Sequence, residues 1–425
     1  MSTNTPKNTQ IWLPFTQMSE ITKNPPIEIK KAKGAWLYDN NNNKYLDAVA
    51  SWWVSALGHN NPKIAKAIGE QAKKLDQVIF ANCTHTGAQE VAKKVLNLLP
   101  NKLQKVFFSD NGSTAVEVSL KLALQYHHQT GNPQKTKIMS LNDAYHGDTI
   151  GAMSVSGTEH FFAPYKPMLF KSPKIKNWNK LEQTIIKHAH KTAAIIVEPL
   201  IQAAGGMKIY HIKHLQQLAK LCKKHNVLVI YDEIATGFGR TGTMFAMDQI
   251  GTSNLYAPDM VCLSKGLTGG TVAMSITACS NKIYKAFLGP YSANKTFFHG
   301  HSYTANPIAC AASIATLDIF ANQNIIKNMQ KNMQYFNDCA QKFAKNLPLK
   351  NFRALGWVAA WDIDDVRKSQ KQRLSPIITK TALKYGLLIR PLGNVLYFWP
   401  PITLTKTEID FMFNTTKKVL NEIMI

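Results

Sequence analysis

The chain has 425 residues, of which 45% are hydrophobic and 18% charged, and its formal net charge is +24. This apolar fraction is typical of a globular protein and too high for a disordered one. No apolar run approaches the roughly 18 residues that span a bilayer, and the polar start MSTNTPKNTQ lacks the pattern of a secretory signal. We therefore expect a protein that is neither membrane-embedded, secreted nor fibrous.

The cysteines and the positive charge give two further expectations. The six cysteines are scattered, without a C-x-x-C pair or a histidine cluster at zinc spacing, which predicts reduced thiols in a cytoplasmic protein and no metal site. The cations are nearly all lysines spread along the chain, which favours a solvated surface over nucleic-acid binding. Arginine, which clamps carboxylates better than lysine, occurs at only five positions: Arg240, Arg353, Arg367, Arg373 and Arg390.

The first hundred residues change from a strand pattern to a helix pattern. Residues 33–49 alternate apolar and polar side chains around the turn sequence DNNNNK at 39–44, which predicts a β-hairpin. Helical spacing follows over about 61–99. The sequence therefore predicts a hairpin followed by helices before the central part of the chain.

The middle of the chain alternates short apolar runs with amphipathic stretches. The predicted strands are 105–109, 137–141, 193–199, 227–233, 260–264 and 274–279, and the predicted helices begin near Ser113, after Tyr210 and at Asn306. This alternation predicts an α/β fold with a mainly parallel sheet covered by helices on both faces. Ligands of such sheets bind beyond the carboxyl ends of the strands.

The last hundred residues follow a different pattern. We expect a long helix over about 322–346, then short strands around 354–362, 386–390 and 396–398, and a closing helix from Lys406. This mixture predicts a smaller α+β domain.

Three motifs stand at the predicted carboxyl ends of strands. The segment SDNGST at 109–114 is either a phosphate cradle or a helix start capped by Ser113 or Thr114. Asp232 ends a very apolar strand, where a carboxylate needs a partner such as a cationic ring nitrogen, a salt bridge or a helix N-terminus. Lys265 is either a nucleophile with a lowered pKa or a lysine whose ammonium reaches water.

Together the three motifs match the needs of pyridoxal phosphate. The cradle would hold the phosphate, Lys265 would react with the aldehyde, and Asp232 would pair with the ring nitrogen. Tyr145, near another strand end, offers an aromatic ring for stacking on the cofactor. The residues therefore predict a pyridoxal-phosphate enzyme.

The motifs also identify a family. The strings YDEIATGFGRTG (231–242), SKG (264–266) and AYHGDTIGAMSVSG (144–157) resemble class III, fold type I pyridoxal-phosphate aminotransferases along nearly the whole chain. Within the class, the segments SWWVSALGHNNP (51–62) and IRPLGNVLYFWPPI (389–402) are most similar to the 7,8-diaminononanoate synthases of biotin biosynthesis. The resemblance implies transfer of an amino group from S-adenosylmethionine to 8-amino-7-oxononanoate in a homodimer with shared active sites. It also implies that residues 1–60 and 322–425 form the small domain and 61–321 the large one.

The resemblance implies a set of site residues. Those expected to bind the cofactor are Gly112, Ser113, Tyr145, Asp232, Lys265 and, from the other subunit, Ser302. Lys265, Asp232 and Tyr145 among them are the expected catalytic residues. Those expected to bind substrate are Trp52, Arg390 for the carboxylate, Gly300, Arg240, Tyr397, Phe15 and Trp53.

Two positions depart from the family pattern and leave the amino donor open. Phe15 stands where many members have Tyr, and His301 stands where many have Pro, beside Ser302. Lysine is therefore an alternative donor. An ω-amino acid or ornithine-type aminotransferase, another pyridoxal-phosphate reaction and a nucleic-acid-binding protein are the competing interpretations.

Overall fold

The computed structural model describes residues 10–157, 159–251, 253–364 and 373–424 of the chain. Arg367 lies outside these residues. At the centre is a sheet of seven strands, which in spatial order are Leu103–Ser109, Ser275–Ser280, Met260–Leu263, Leu228–Asp232, Thr192–Val197, Lys137–Leu141 and Lys174–Ile175. The strand Ser275–Ser280 is antiparallel to both of its neighbours, and the other pairs are parallel. Each of the predicted strands of the middle region is present, and the predicted α/β fold is confirmed.

The central strands are apolar throughout because the sheet is covered on both faces. Every residue of Thr192–Val197 and of Leu228–Asp232 is buried. Successive residues of a strand point to opposite faces. Ile230 accordingly packs in one core with the helix Gly112–Gln129, whereas Val229 and Tyr231 pack in the core on the other face.

Helices fill both layers. The helices of the described residues, apart from single turns, are Pro62–Ala72, Thr86–Leu98, Gly112–Gln129, Ile150–Val155, Leu181–His188, Ile212–Lys224, Asn281–Ala286, Pro307–Asn322, Gln330–Phe343, Leu374–Lys384 and Lys406–Met424. None of these helices is both long and apolar enough to span a bilayer. The six cysteines are free thiols.

The N-terminal hairpin belongs to a small second sheet. Its strands Trp36–Asp39 and Lys44–Asp47 pair antiparallel, as the alternation predicts. The Asp39 carboxylate closes the turn, because it accepts the backbone N–H groups of Asn41 at 2.9 Å and Asn43 at 2.8 Å. The strand Leu387–Leu388 joins the same sheet parallel to Lys44–Asp47, so N- and C-terminal segments share it. The domain boundaries themselves stay a prediction.

The C-terminal region differs from its prediction at one helix. The expected helix over 322–346 is wrong at its start, because Pro307–Asn322 ends there and Asn324 adopts a left-handed φ of 47°. A single turn, Ile325–Asn328, then precedes Gln330–Phe343. The region around 354–362 is a hairpin of Leu349–Leu355 and Val358–Ile363, which pairs further with Val395–Phe398. The closing helix begins at Lys406 as expected.

An aromatic cluster holds the C-terminal region together and makes a testable prediction. Trp361 is fully buried and contacts the rings of Phe343, Phe398 and Phe352. We expect Trp361→Ala to lower the free energy of unfolding by about 3–5 kcal/mol, since it leaves a large cavity. Phe352→Ala is the control, because Phe352 belongs to the same cluster but is 40% exposed. Urea denaturation measures both, and equal losses would contradict this account of the cluster.

Candidate active site

Four chemically important side chains meet at the carboxyl edge of the central sheet. Asp232 is the last residue of Leu228–Asp232, and Lys265 follows Met260–Leu263 after one residue. Glu198 directly follows Thr192–Val197, and Tyr145 lies beyond Lys137–Leu141. These four strands are parallel, so their carboxyl ends lie at one edge.

Asp232 is held by a buried histidine. Its Oδ2 lies 2.7 Å from Nδ1 of His146, and its Oδ1 accepts the backbone N–H of Ile234 at 3.1 Å. Asp232 is 4% exposed and His146 is 2% exposed, so both are removed from water. A carboxylate has about four lone-pair positions, so Asp232 can still accept a further N–H from a ligand ring.

Lys265 faces the cavity from a strained backbone position. Its φ is 45°, which is uncommon for a residue with a side chain. Its Nζ lies 4.8 Å from the centre of the Trp53 ring. Desolvation lowers the pKa of Lys265 to about 8, although the negative charges of Asp232 and Glu198 oppose the shift. Near physiological pH this amine is therefore neutral far more often than an ordinary lysine, although the protonated form is still the larger fraction.

The helix Gly112–Gln129 points its N-terminus at the same edge. Asn111 caps it, because Asn111 Oδ1 accepts the N–H of Thr114 and Thr114 Oγ1 accepts the N–H of Asn111. The alternative interpretation of this segment, a helix start capped by Ser113 or Thr114, is therefore wrong about the cap, since both residues lie inside the first turn. The N–H groups of Gly112 and Ser113 belong to that turn, where a helix favours an anion.

The cradle around Ser113 has no room for larger side chains. Ser113 Oγ accepts the backbone N–H of Asp148 at 3.1 Å, which leaves its own O–H free to donate. A Cβ at Gly147 would lie 2.0 Å from Ser113 Oγ, and one at Gly112 would lie 3.0 Å from the side chain of Ile234. A Cβ at Gly147 therefore does not fit, and one at Gly112 would require the Ile234 side chain to shift.

Tyr145 and Glu198 are linked through the loop after Lys137–Leu141. The Tyr145 hydroxyl donates to Asp148 Oδ2 at 2.9 Å, and burial raises the pKa of Tyr145. The backbone N–H of Tyr145 donates to Glu198 Oε1 at 3.0 Å, and that of Ala203 donates to Glu198 Oε2 at 3.0 Å. Burial raises the pKa of Glu198 to about 8. Glu198 thereby fixes the loop that carries Tyr145.

The paired tryptophans lie in an unusual stretch of backbone. Ala50, Ser51, Trp52 and Trp53 have φ values of 45°, 60°, 134° and 68°. We call these four residues the left-handed run. Among the described residues, no other two consecutive non-glycine residues have positive φ. Each such residue costs about 1–3 kcal/mol, and such strain is concentrated at functional sites.

The two tryptophans of the run occupy different environments. Trp52 is 42% exposed and lines the cavity, where its ring lies 4.6 Å from the Arg390 guanidinium. Trp53 is buried and donates its Nε1–H to the Tyr397 hydroxyl at 3.3 Å. Burial raises the pKa of Tyr397 to about 12, so that hydroxyl stays protonated.

The cavity has a volume of about 2050 Å³ and contains most of the predicted substrate residues. The predicted residues that line it are Phe15, Trp52, Trp53, Tyr145, Lys265, Arg390 and Tyr397. Phe15 contacts the Trp52 ring edge-on at 5.7 Å, and its backbone oxygen accepts an N–H of Arg390 at 3.3 Å. The apolar wall and the arginine together suit a long chain that ends in a carboxylate.

Arg240, Gly300 and Ser302 do not line this cavity. Arg240 is 2% exposed and donates to the backbone oxygens of Trp357 and Pro400. Gly300 and Ser302 are exposed. The backbone oxygen of Ser302 accepts a hydrogen bond from Gln77 at 2.7 Å. Their predicted substrate and cofactor roles stay predictions.

The residues present fit pyridoxal phosphate. The helix start at Gly112 and the Ser113 hydroxyl provide donors for a phosphate, and Asp232 retains acceptor capacity for a ring nitrogen. Lys265 offers an amine of lowered pKa, and the hydrogen bonds among the described residues include none to its Nζ. The site therefore has donors for the phosphate, an acceptor for the ring nitrogen and an amine for the aldehyde, which are the three groups that the cofactor requires.

His146, Glu198 and Asp47 are parts of the site that the sequence analysis did not predict. His146 stands beside Tyr145 within a recognised motif, but its contact with Asp232 spans 86 residues. Glu198 could have been found, because it is a carboxylate at the end of a fully buried strand. Asp47 binds the left-handed run, and nothing in the hairpin pattern indicates that role.

Comparisons with known proteins identify the family of the chain. Residues 18–420 match the family described as aminotransferase class-III. A Helicobacter pylori protein named adenosylmethionine-8-amino-7-oxononanoate aminotransferase is 39% identical over 428 residues, which cover 97% of this chain and 96% of that protein.

Solved structures show the same relationship. The crystal structure of the enzyme of that name from Methanocaldococcus jannaschii has a TM-score of 0.93 at 36% identity, and 97% of each chain is covered. An amine transaminase from an uncultivated Pseudomonas species, solved in its PLP-bound form, has a TM-score of 0.90 at 28% identity, covering 98% of this chain and 99% of that one. The chain described here belongs to the class-III aminotransferase family.

Proposed function

We propose that this protein transfers an amino group from S-adenosylmethionine to 8-amino-7-oxononanoate and forms 7,8-diaminononanoate in biotin biosynthesis. The observation that carries the proposal is the meeting of Lys265 and Asp232 at one sheet edge, beneath a cavity walled by Trp52 and Arg390. The relatives at 34–39% identity that bear this activity in their names support it.

The cofactor and the protein divide the chemistry between them. Pyridoxal phosphate, when bound, supplies an electron sink for the charge that develops when a proton leaves carbon. Lys265 Nζ takes the proton from Cα of the amino donor and, in the second half of the cycle, returns one to C7 of the acceptor. Its pKa of about 8 suits both directions of transfer near neutral pH.

The other residues bind and orient. Asp232 would accept an N–H from the cofactor ring, and His146 keeps the Asp232 carboxylate in place. Gly112 and Ser113 would hold the phosphate, and Tyr145 would pack against the cofactor ring. Arg390 binds the carboxylate of the oxo-acid while the Trp52 ring holds the guanidinium from one side.

We also propose the assembly and the compartment. Gly300 and Ser302 are exposed and do not line the cavity of their own chain, so a homodimer in which they complete the neighbouring site explains their position. His301, between them, would then lie near the neighbouring donor site. The free thiols favour the reducing cytoplasm.

An absorbance titration tests the function directly. We expect S-adenosylmethionine to remove the visible absorption band of the cofactor-loaded protein, and 8-amino-7-oxononanoate to restore it, since the two half-reactions are separable. A parallel cell receives lysine, and Lys265→Ala is the inactive control. Loss of the band with lysine alone would change the proposed donor. Loss with an ω-amino acid, and no restoration by 8-amino-7-oxononanoate, would replace the proposed acceptor.

Arg390 makes a prediction about the acceptor. We expect Arg390→Ala to raise the KM for 8-amino-7-oxononanoate by about 10- to 100-fold with a smaller fall in kcat, because a carboxylate clamp is lost. Arg373→Ala is the matched control, since Arg373 also lines the cavity but pairs with Glu20 at 2.6 Å. Steady-state kinetics measure both variants. Similar acceptor KM values in the two variants would remove Arg390 from the carboxylate site.

The lowered pKa of Lys265 predicts a pH dependence. Only the neutral amine attacks an aldehyde, and Lys265 is charged below and neutral above about pH 8. In cofactor-free protein, the rate of pyridoxal phosphate uptake should therefore rise as pH increases and level off above about pH 8. Stopped-flow absorbance measures this rate. A rate that is still rising at pH 10 would contradict the lowered pKa.

A further inference from the structure

The left-handed run, Ala50 to Trp53, is an unfavourable backbone arrangement that needs an external restraint. Its φ values lie between 45° and 134°, and no glycine relieves them. The backbone hydrogen bonds of the run go to its immediate neighbours in sequence, such as Trp53 N–H to Val49 O at 2.9 Å, and form a local turn. These bonds do not tie the run to the rest of the protein.

The Trp53 side chain is anchored by Tyr397 and Trp399, whereas the backbone ahead of it is restrained by the carboxylate of Asp47, the last residue of Lys44–Asp47. Its Oδ1 accepts the N–H of Val49 at 3.1 Å, and its Oδ2 accepts the N–H of Ser51 at 2.6 Å. His59 Nε2 lies 2.8 Å from the same Oδ2. Asp47 is fully buried, so water does not compete for these bonds.

The two tryptophans of the run reach both halves of the site. The Trp52 ring lies 4.6 Å from the Arg390 guanidinium and lines the cavity. The Trp53 ring lies 4.8 Å from Lys265 Nζ. A change in the run would therefore move the surface on which the Arg390 guanidinium rests.

We propose that Asp47 is a positioning residue for the acceptor: its carboxylate holds the left-handed run so that Trp52, and through it Arg390, face the oxo-acid. This inference rests on the proposed function. Asp47 acts through the backbone of the run and does not line the cavity.

Asp47→Asn tests the inference with little change in size. Asparagine keeps one acceptor oxygen but puts an N–H₂ donor where the second oxygen accepts from Ser51 and His59. We expect the KM for 8-amino-7-oxononanoate to rise about tenfold, with kcat within about twofold of the original value.

Asp39→Asn is the matched control. Asp39 also ends a strand, is 8% exposed and accepts two backbone N–H groups of a turn. Among the described residues, the hydrogen bonds of the Asp39 carboxylate are to Asn41, Asn43 and Tyr45. We expect this variant to keep the acceptor KM within about twofold of the original value, since only the distant turn is loosened.

A double variant separates positioning from a general loss of stability. If Asp47 acts through Trp52, Asp47→Asn should raise the acceptor KM of Trp52→Ala by no more than about twofold, because coupled residues are not additive. If the KM of the double variant rises by the product of the two single increases, the inference is overturned. It is also overturned if Asp47→Asn and the Asp39→Asn control have the same acceptor KM.

Two further measurements cover other failures. If Asp47→Asn does not fold, His59→Gln, which keeps an N–H donor, should raise the acceptor KM less than His59→Leu. Hydrogen exchange of residues 48–56 should be faster in Asp47→Asn than in Asp39→Asn, a comparison that needs no substrate. Equal exchange would overturn the inference. The unmodified protein could lack activity toward 8-amino-7-oxononanoate while Asp47→Asn still shows faster exchange. In that case the proposed function would be wrong, and the restraint of the run by Asp47 would stand.

Discussion

The burial of ionisable groups at one sheet edge is the constraint on which the site depends. A carboxylate removed from water needs hydrogen-bond donors. Asp232 finds them in His146 and Ile234, and Glu198 finds them in the N–H groups of Tyr145 and Ala203. These bonds do more than offset desolvation, because they draw the loop of residues 144–148 onto the sheet. The same loop reaches the phosphate cradle, so satisfying two buried carboxylates also arranges the groups that hold the cofactor.

The cavity proposed to bind the substrate is formed by a different part of the chain and depends on a different kind of constraint. Irregular segments form part of the cavity wall, including Phe15, the tryptophans of the left-handed run and the residues around Arg390. Loops on a rigid scaffold commonly carry binding residues. Here the scaffold is the small sheet, in which Leu387–Leu388 pairs with Lys44–Asp47. That pairing, with the bond from Ala48 N–H to the oxygen of Leu388, helps to set the run beside Arg390, although more than 330 residues separate them in sequence.

The reactive residues of the site were easier to predict from the sequence than the residues that hold them in place. Lys265 and Asp232 follow continuous apolar runs, and such runs indicate buried parallel strands whose carboxyl ends bind ligands. The bond from His146 to Asp232 depends on strand order, which no local pattern encodes. The helix expected over 322–346 failed for a local reason, because apolar spacing does not reveal the left-handed φ of Asn324. The positive φ values of the run are likewise invisible in the letters ASWW.

Two of the five arginines, Arg390 and Arg240, use the same guanidinium group for different purposes. Arg390 lies in the cavity, where its planar fork suits a carboxylate. Arg240 instead uses its fork on two backbone oxygens, at Trp357 and Pro400, and so ties the C-terminal region to the loop beyond Asp232. Its guanidinium lies 5.0 Å from the Trp399 ring, which stacks on Trp53 at 4.9 Å. Lys265 Nζ lies on that same Trp53. The charge of Arg240 opposes protonation of Lys265, so an arginine that holds two regions together also favours the neutral amine that the reaction needs.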